Sequence, residues 1–164
     1  MPRKDHASTP AVAVLVQAGV PHDLHPYEHD PASELSYGLE AAASLGVDPR
    51  AVFKTLCVQV DGTLTMALVP VSGSLDLKAV AKATGAKRAV MAEPAAAERA
   101  TGYVVGGISP LGGRKRLPAV IDESALDLAR VYVSGGRRGL DISLAPADLV
   151  RLTGATTAPI GKDS

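Results

Sequence analysis

Cysteine is almost absent from this chain. Cys57 stands alone among 164 residues, which excludes an internal disulfide framework and any zinc site built on several thiolates. Aromatics are scarce too, with four Tyr, one Phe and no Trp, so a surface that stacks one nucleic-acid strand on successive rings is not expected. Neither sign of charge is in excess, because 17 Lys and Arg face 17 Asp and Glu. That balance argues against a basic coat for nucleic acid, DNA included, and against a charged disordered tail; contact with RNA would need a local basic patch. No stretch approaches the ~20 apolar residues that cross a bilayer, so no membrane partner is expected. Arg3, Lys4 and Asp5 are followed by no long apolar run before Gly19 and Pro21. A signal peptide is therefore not expected, and a cytoplasmic location is.

What is present reads as one folded domain spanning residues 1–164, with its core at about 9–154. Thr9, Pro10 and Gly19 mark the cap, first position and left-handed end of a helix with Val14, Leu15 and Ala18 as its apolar stripe. Pro21–Pro31 reads as a short strand entering a loop, Gly38–Gly46 as a short helix, and Asp48-Pro49 as a helix start or a single turn into a strand. Between Val52 and Val71 the pattern is a hairpin around Asp61-Gly62. A three-residue loop, Asp61 to Thr63, would align Leu56, Val58 and Val60 with Leu64, Met66 and Leu68, and that alignment predicts the longer loop over a two-residue one. Ser74 is expected to cap a helix to Gly85 with Leu77, Val80, Ala81 and Thr84 on one side and Lys78 and Lys82 exposed. A strand at Ala89–Met91, a helix from Pro94 to about Ala100 and a strand at Tyr103–Val105 follow. Ala119–Ile121, Val131–Val133 and Leu140–Leu144 read as strands, Ser124–Arg130 as a helix, Pro146–Gly154 as a last helix, and the final ten residues as a loose tail. The irregular alternation predicts an α/β or α+β class with a mixed sheet or small barrel and helices outside it.

Lys54 has the strand parity of Leu56, Val58 and Val60, so its side chain is directed to an apolar side of the sheet. A lysine there packs its stem and reaches water, or else lines a cavity that binds an anion. Gly106-Gly107-Ile108-Ser109-Pro110, followed by Leu111-Gly112-Gly113, can bring backbone N–H groups against a carbonyl oxygen, an oxyanion or a phosphate, or can simply form a wide turn. Gly113-Arg114 stands where a P-loop needs Lys-Ser/Thr, which excludes nucleotide hydrolysis of that type. Arg114, Lys115, Arg116, Arg137 and Arg138 follow glycine-rich turns and are candidates for phosphate contact, or a solvated face. His22, His25 and His29, with Asp23, Glu28 and Asp30 beside them, resemble a ligand set, but Pro21, Pro26 and Pro31 interrupt any helix that would align them; no metal and no cofactor is expected. No His follows Cys57, which reads as a buried structural thiol. Ser109 and Ser134 sit beside glycines without a G-x-S-x-G elbow, so a serine-hydrolase triad is not expected.

Four segments in order are more specific than any one residue: Tyr27-Glu28-His29-Asp30-Pro31, Val52-Phe53-Lys54-Thr55-Leu56, the run Thr101 to Gly112 containing Gly106-Gly107-Ile108-Ser109-Pro110, and the run Tyr132 to Asp141. Together they closely resemble the bacterial Cys-tRNA(Pro) deacylase family of the YbaK/EbsC type, from about Thr9 to about Gly154. The resemblance implies the fold of the prolyl-tRNA synthetase editing insertion, a central mixed, barrel-like sheet with surrounding helices. It implies removal of cysteine from tRNA(Pro), and from tRNA(Cys), alongside prolyl-tRNA synthetase. Lys54 matches the family's essential lysine, and Gly106 to Pro110 the loop that shapes the pocket around the terminal adenosine and the cysteinyl group; backbone N–H groups at Gly106, Gly107 and Ile108 are expected to steady the ester carbonyl as charge develops. Tyr27, Phe53, Thr55, Ser109, Pro110, Ser134, Gly135, Gly136 and Asp141 fall in segments that line the family's pocket, and Tyr37 stands where relatives are expected to carry Phe.

The mechanism the resemblance implies is substrate-assisted: the thiol of the bound cysteine attacks its own ester carbonyl and leaves a cyclic thioester. A protein nucleophile is then unnecessary, in keeping with the lack of a convincing one here. Two other readings stay open on sequence grounds. One is a sister editing enzyme for Ala-tRNA(Pro) or another mischarged tRNA; the other is a non-catalytic module that binds RNA ends or nucleotides.

Overall fold

Thr9 Oγ1 accepts the Val12 N–H and Pro10 opens the first turn, so helix α1 runs Pro10–Ala18 in the computed structural model, which describes residues 9–163. The segment with Arg3, Lys4 and Asp5 lies outside the described residues. The buried face of α1 is Ala11, Val12 and Leu15. Of the expected stripe, Val14 is half-buried and Ala18 exposed, because the helix leans its first turns on the rest of the fold. Strand β1 follows at His22–Pro26. Helix α2, Tyr37–Leu45, is capped by Ser36 and ended by Gly46, and Asp48 caps a single 3-10 turn, Pro49–Ala51, that feeds the next strand.

Strands β2 (Phe53–Val60) and β3 (Thr63–Pro70) form the hairpin, but with the shorter loop: Val60 pairs with Thr63. Asp61 and Gly62 both take positive φ, 48° and 86°, as a two-residue type I′ turn requires. Asp61 is held there by accepting the Lys87 and Arg88 N–H groups. The three-residue reading assumed one apolar face. Both faces are apolar: Val58, Val60, Ala67 and Val69 bury into one cluster, and Phe53, Cys57, Met66 and Leu68 into another. With neither face exposed to water, hydrophobicity no longer selects register, and turn chemistry decides.

Downstream, β4 (Gly73–Leu75) takes Ser74 into a strand, and Asp76 rather than Ser74 caps α3 (Leu77–Thr84). Val80 and Ala81 are buried as expected, while Thr84 is exposed and turns its hydroxyl back to Val80 O. Strand β5 (Ala89–Met91) and helix α4 (Pro94–Thr101) follow. Tyr103–Val105 is not a strand. Its polar groups are met individually: Tyr103 Oη donates to Leu111 O at 2.7 Å, and Val105 N–H donates to Glu98 Oε2 at 2.8 Å. After β6 (Ala119–Asp122), Asp122 caps a 3-10 turn at Glu123–Asp127 in place of the longer helix expected to reach Arg130. Strand β7 extends through Val131–Arg137, so Ser134–Gly136 is a bulge within a strand and not a turn. Strand β8 (Leu140–Leu144) and helix α5 (Pro146–Thr153) come next. The final residues are not a loose tail. Strand β9 (Thr156–Ala158) pairs with β6, and β10 (Gly161–Asp163) pairs with β4.

The strands order as β5-β2-β3-β6-β9, β1-β8-β7 and β10-β4. The first sheet is mixed, with β3–β6 and β6–β9 parallel, and it does not close into a barrel. The larger core lies between the first two sheets and α1, α4 and α5; the smaller lies between the other face of the first sheet and α3. A third cluster ties α2 to the hairpin through Ala42, Val52 and Val71.

Helix α2 approaches that hairpin closely enough that a Cβ at Gly38 would lie 2.2 Å from Val71 Cγ1. Gly38→Ala should therefore push the helix off Val71, just beyond β3, and cost about 1–3 kcal/mol, read as a fall in the urea midpoint. An unchanged midpoint would mean that α2 is free to shift.

Candidate functional site

Strand β2 has a continuous neighbour on one side only. On its other edge β5 pairs with Val58–Val60, Ala92 N–H donates to Cys57 O, and an isolated parallel bridge joins Val52 to Tyr132. Between those points no described strand pairs with residues 54–56. A cavity of about 330 Å3 occupies the gap. Its wall is mostly apolar, from Phe53, Ala41, Val105, Ile108, Met91, Ala92 and Ala97, and it contains one cation, Lys54, and one carboxylate, Asp141.

Lys54 and Thr55 leave the strand on opposite faces, as alternation demands. The Lys54 ammonium donates to Gly73 O at 3.1 Å, and burial pulls its pKa below the usual lysine value. Thr55 Oγ1 is buried with no hydrogen-bond partner, a costly state for a hydroxyl unless something else satisfies it. Cys57 is buried, with its thiol pKa raised by that burial, and still lines the cavity. Sequence reasoning took it as a structural thiol and had no signal for its place in the wall.

The glycine loop closes another side. At Gly106, φ is 91° and a Cβ would lie 2.8 Å from the Tyr37 ring, so only glycine lets the loop meet that ring. Arg138 stacks its guanidinium over the same ring, 4.8 Å from the centroid, and its Nε donates to Val105 O at 2.9 Å. His29 touches Tyr37 from another side and hydrogen-bonds Glu40 at 2.8 Å. A buried carboxylate, Glu40, thus steadies the segment from His29 to Tyr37; its pKa is lowered, although burial opposes this, by the Asp30 N–H and by His29. Gly107 docks the loop on the end of β7, since a Cβ there would lie 2.8 Å from the Arg137 backbone.

Tyr27, Ser134 and Asp141 reach the cavity from the second sheet, where Ser134 pairs across to Asp141. Burial raises Asp141 to about 7, and burial together with the Asp141 charge raises Tyr27 to about 12.

Not every sequence candidate converges there. Lys54, Thr55, Phe53, Tyr27, Tyr37, Gly106, Ile108, Ser134 and Asp141 line the cavity. Ser109 and Pro110, with Lys115 and Arg116, line a separate cavity of about 180 Å3 behind the loop. Arg114, Lys115 and Arg116 are exposed there, with Arg114 reaching Arg99 O at 3.4 Å. Gly135 and Gly136 pack beneath Leu140, Thr9 and Tyr103. The three histidines part company: His22 binds Val20 O, His25 binds Ser143 Oγ and His29 binds Glu40. Among the described residues no group of three His, Cys, Asp or Glu could hold a metal ion. No described helix is long and apolar enough to cross a membrane. Sequence reasoning missed Ala41, Met91, Ala92, Pro94 and Ala97 as wall residues. Small and apolar, they carry no chemical signature.

The aminoacyl-tRNA editing domain model matches residues 35–152. Over 159 residues, 96% of each chain, the sequence is 35% identical to an Enterococcus faecalis (strain V583) protein that bears the provisional name Cys-tRNA(Pro)/Cys-tRNA(Cys) deacylase EbsC. The solved hypothetical protein APE2540 superposes with a TM-score of 0.82 at 27% identity, covering 93% of this chain and 99% of that one. A solved protein provisionally described as a trans-editing enzyme for prolyl-tRNA synthetase superposes at 0.79 with 23% identity over 99% of both chains; at that identity the likeness is one of fold.

Asp141 offers a test of the site's electrostatics that needs no substrate. Its carboxyl holds a proton more tightly in the fold, at about 7, than at its ordinary 3.8. Folded stability therefore falls as pH rises between those values. The urea midpoint of Asp141→Asn relative to wild type should climb from about pH 4 to about pH 8 and then level. A difference that stays constant over that range would mean that Asp141 ionises as freely in the fold as in water.

Proposed function

The chain belongs to the aminoacyl-tRNA editing domain family, and on that premise we propose that it is a free-standing deacylase that releases cysteine from mischarged tRNA(Pro), and from Cys-tRNA(Cys). The observation that carries the reading is the presence of one ammonium and one carboxylate in the lining of an apolar cavity. The terminal adenosine of an aminoacyl-tRNA brings a ring face, a phosphate–ribose end and, on the ester, an α-ammonium. Lys54 suits the phosphate–ribose end, and Asp141 suits the α-ammonium, whose charge would draw the carboxyl back to its ionised form. Thr55 Oγ1 offers its unused hydrogen bond to the aminoacyl ester, and backbone N–H groups at Gly106–Ile108 steady the carbonyl as charge develops.

The reaction needs no nucleophile from the protein. The substrate's thiolate attacks its own ester carbon and the bond from that carbon to the ribose oxygen breaks. The ribose hydroxyl recovers the proton that the thiol gave up. The products are free tRNA and the four-membered thiolactone of cysteine, which water then opens to the free amino acid. Serine fits the same space, but its hydroxyl is a far weaker nucleophile near neutral pH, and alanine has none. Chemistry therefore adds to whatever selectivity the cavity size supplies.

Charged tRNA meets a protein with no net charge, so its phosphates fall to local basic residues, Arg137 and Arg138 near the cavity and Arg114, Lys115 and Arg116 beyond the loop. Prolyl-tRNA synthetase, bound to the same tRNA, would supply the discrimination among tRNAs that this surface lacks.

Release of amino acid from Cys-, Ser- and Ala-tRNA(Pro) tests the reading directly. Wild type should discharge only cysteine, and Lys54→Ala should lose at least about 100-fold in rate while staying folded. Equal loss of alanine would overturn the thiol mechanism, and no turnover would leave a binding module. Arg138→Ala should raise KM about 3–10-fold and reduce the salt dependence of binding by about one phosphate contact. An unchanged salt slope would remove Arg138 from the tRNA interface.

A further inference from the structure

We propose that β10, fastened by Asp122, positions Lys54 for the reaction by fixing the carbonyl to which its ammonium donates. The inference rests on the function proposed above, in which Lys54 touches the substrate. Lys54 donates to Gly73 O, and Gly73 begins β4, whose described strand partner is β10. Asp76 N–H donates to Ile160 O at 2.8 Å, and Ser74 stands opposite Lys162, two residues along. By antiparallel alternation those residues share the hydrogen bonds of the ribbon, so Gly73 and Leu75 turn their backbone groups outward. That is why Gly73 O is free to accept from Lys54.

The same alternation turns the Gly161 N–H away from β4 and toward Asp122. Asp122 Oδ1 accepts from Gly161 N at 2.7 Å and from Ile160 N at 3.0 Å, while Oδ2 accepts from the Ser124 N–H and hydroxyl. The carboxylate is buried, and its oxygens are met by four donors, so it is held rigidly. The path from Asp122 to β10, from β10 to β4 and from Gly73 O to Lys54 is a continuous series of hydrogen-bonded backbone. A second contact reinforces it. A Cβ at Gly161 would lie 3.2 Å from Asp122 Oδ1 and 3.6 Å from Val69 Cγ1, and Val69 stands directly opposite Lys54 in the hairpin. Glycine at 161 lets β10 settle against Asp122, while a Cβ would meet Val69 only at ordinary contact distance.

An ammonium has three donors. With one committed to Gly73 O, the direction of the other two is set, which is what a substrate oxygen needs if it is to be met without reorganisation. Asp122 and Gly161 are positioning residues; neither lines the cavity.

The test is steady-state deacylation of Cys-tRNA(Pro) by the full chain, with circular dichroism and the melting midpoint of each variant. Gly161→Ala should lower kcat about tenfold to a hundredfold with KM kept. Asp122→Ala should do the same, and Asp122→Asn, which keeps an oxygen for Ile160 and Gly161, should recover most of the rate. The deciding measurement is a double-mutant cycle with Lys54→Arg, in which Gly161→Ala should cause no further loss. A purely structural role would multiply the two losses, and that outcome, or an unchanged kcat in folded Gly161→Ala, would overturn the proposal. Near-normal activity of Lys54→Ala would instead remove the functional reading itself, so the two failures are told apart.

Discussion

A β-strand carries hydrogen-bonding groups on both edges, and a sheet that covers one edge leaves the other to be satisfied by something else. Here β2 is covered along its length by β3, and on the other side by β5 at Val58–Val60 and by a single bridge at Val52. The interval between them is where the cavity forms, and the features of the site follow from that gap. Phe53, Thr55 and Cys57 line it from one face of the strand, and Lys54 and Leu56 from the other. Glycine at 106 and the ring of Tyr37 close the opening without pairing with the strand. A sheet that continued without a break from β5 to β7 would have no room for a ligand there.

The glycine loop serves two compartments. Gly106 and Ile108 line the cavity at the strand gap, whereas Ser109 to Gly113 line the smaller space beneath Lys115 and Arg116. One segment thus joins the cavity at the strand gap to an exposed basic run. A protein of zero net charge exerts little long-range pull on RNA, so in the function proposed above such local groups would do the orienting.

Much of this was legible because the signals were local. Thr9 with Pro10, and the glycines at 19, 46, 85 and 154, bound their helices as cap chemistry requires. The side to which Lys54 points followed from alternation alone, whatever the hairpin loop. The failures share a cause: each depended on a partner distant in sequence. Leu64, Met66 and Leu68 misled the register because α3 and the hairpin's other neighbours bury both faces of the sheet. Ser74 lost its capping role because β10 draws it into a strand, and Thr156–Ala158 is a polar triplet that becomes a strand only because β6 lies beside it. Tyr103–Val105 has strand composition, yet Glu98 and Leu111 satisfy its polar groups. The site residues with chemical character were readable; the alanines, Met91 and Pro94 that shape the wall were not.

The β4–β10 ribbon consists of three residue pairs, against eight in the β2–β3 hairpin. Short peripheral ribbons open at lower free energy than central sheets, and they do so without global unfolding. Because the acceptor for Lys54 lies on that ribbon, the positioning role proposed for β10 would give the molecule two thresholds on heating. Amide protons of β10 would then exchange first and the lysine would lose its bearing while the hairpin and its two cores still held. Thermal inactivation and thermal denaturation are then separate events, and a preparation that looks fully folded by circular dichroism is not, on that ground alone, fully competent.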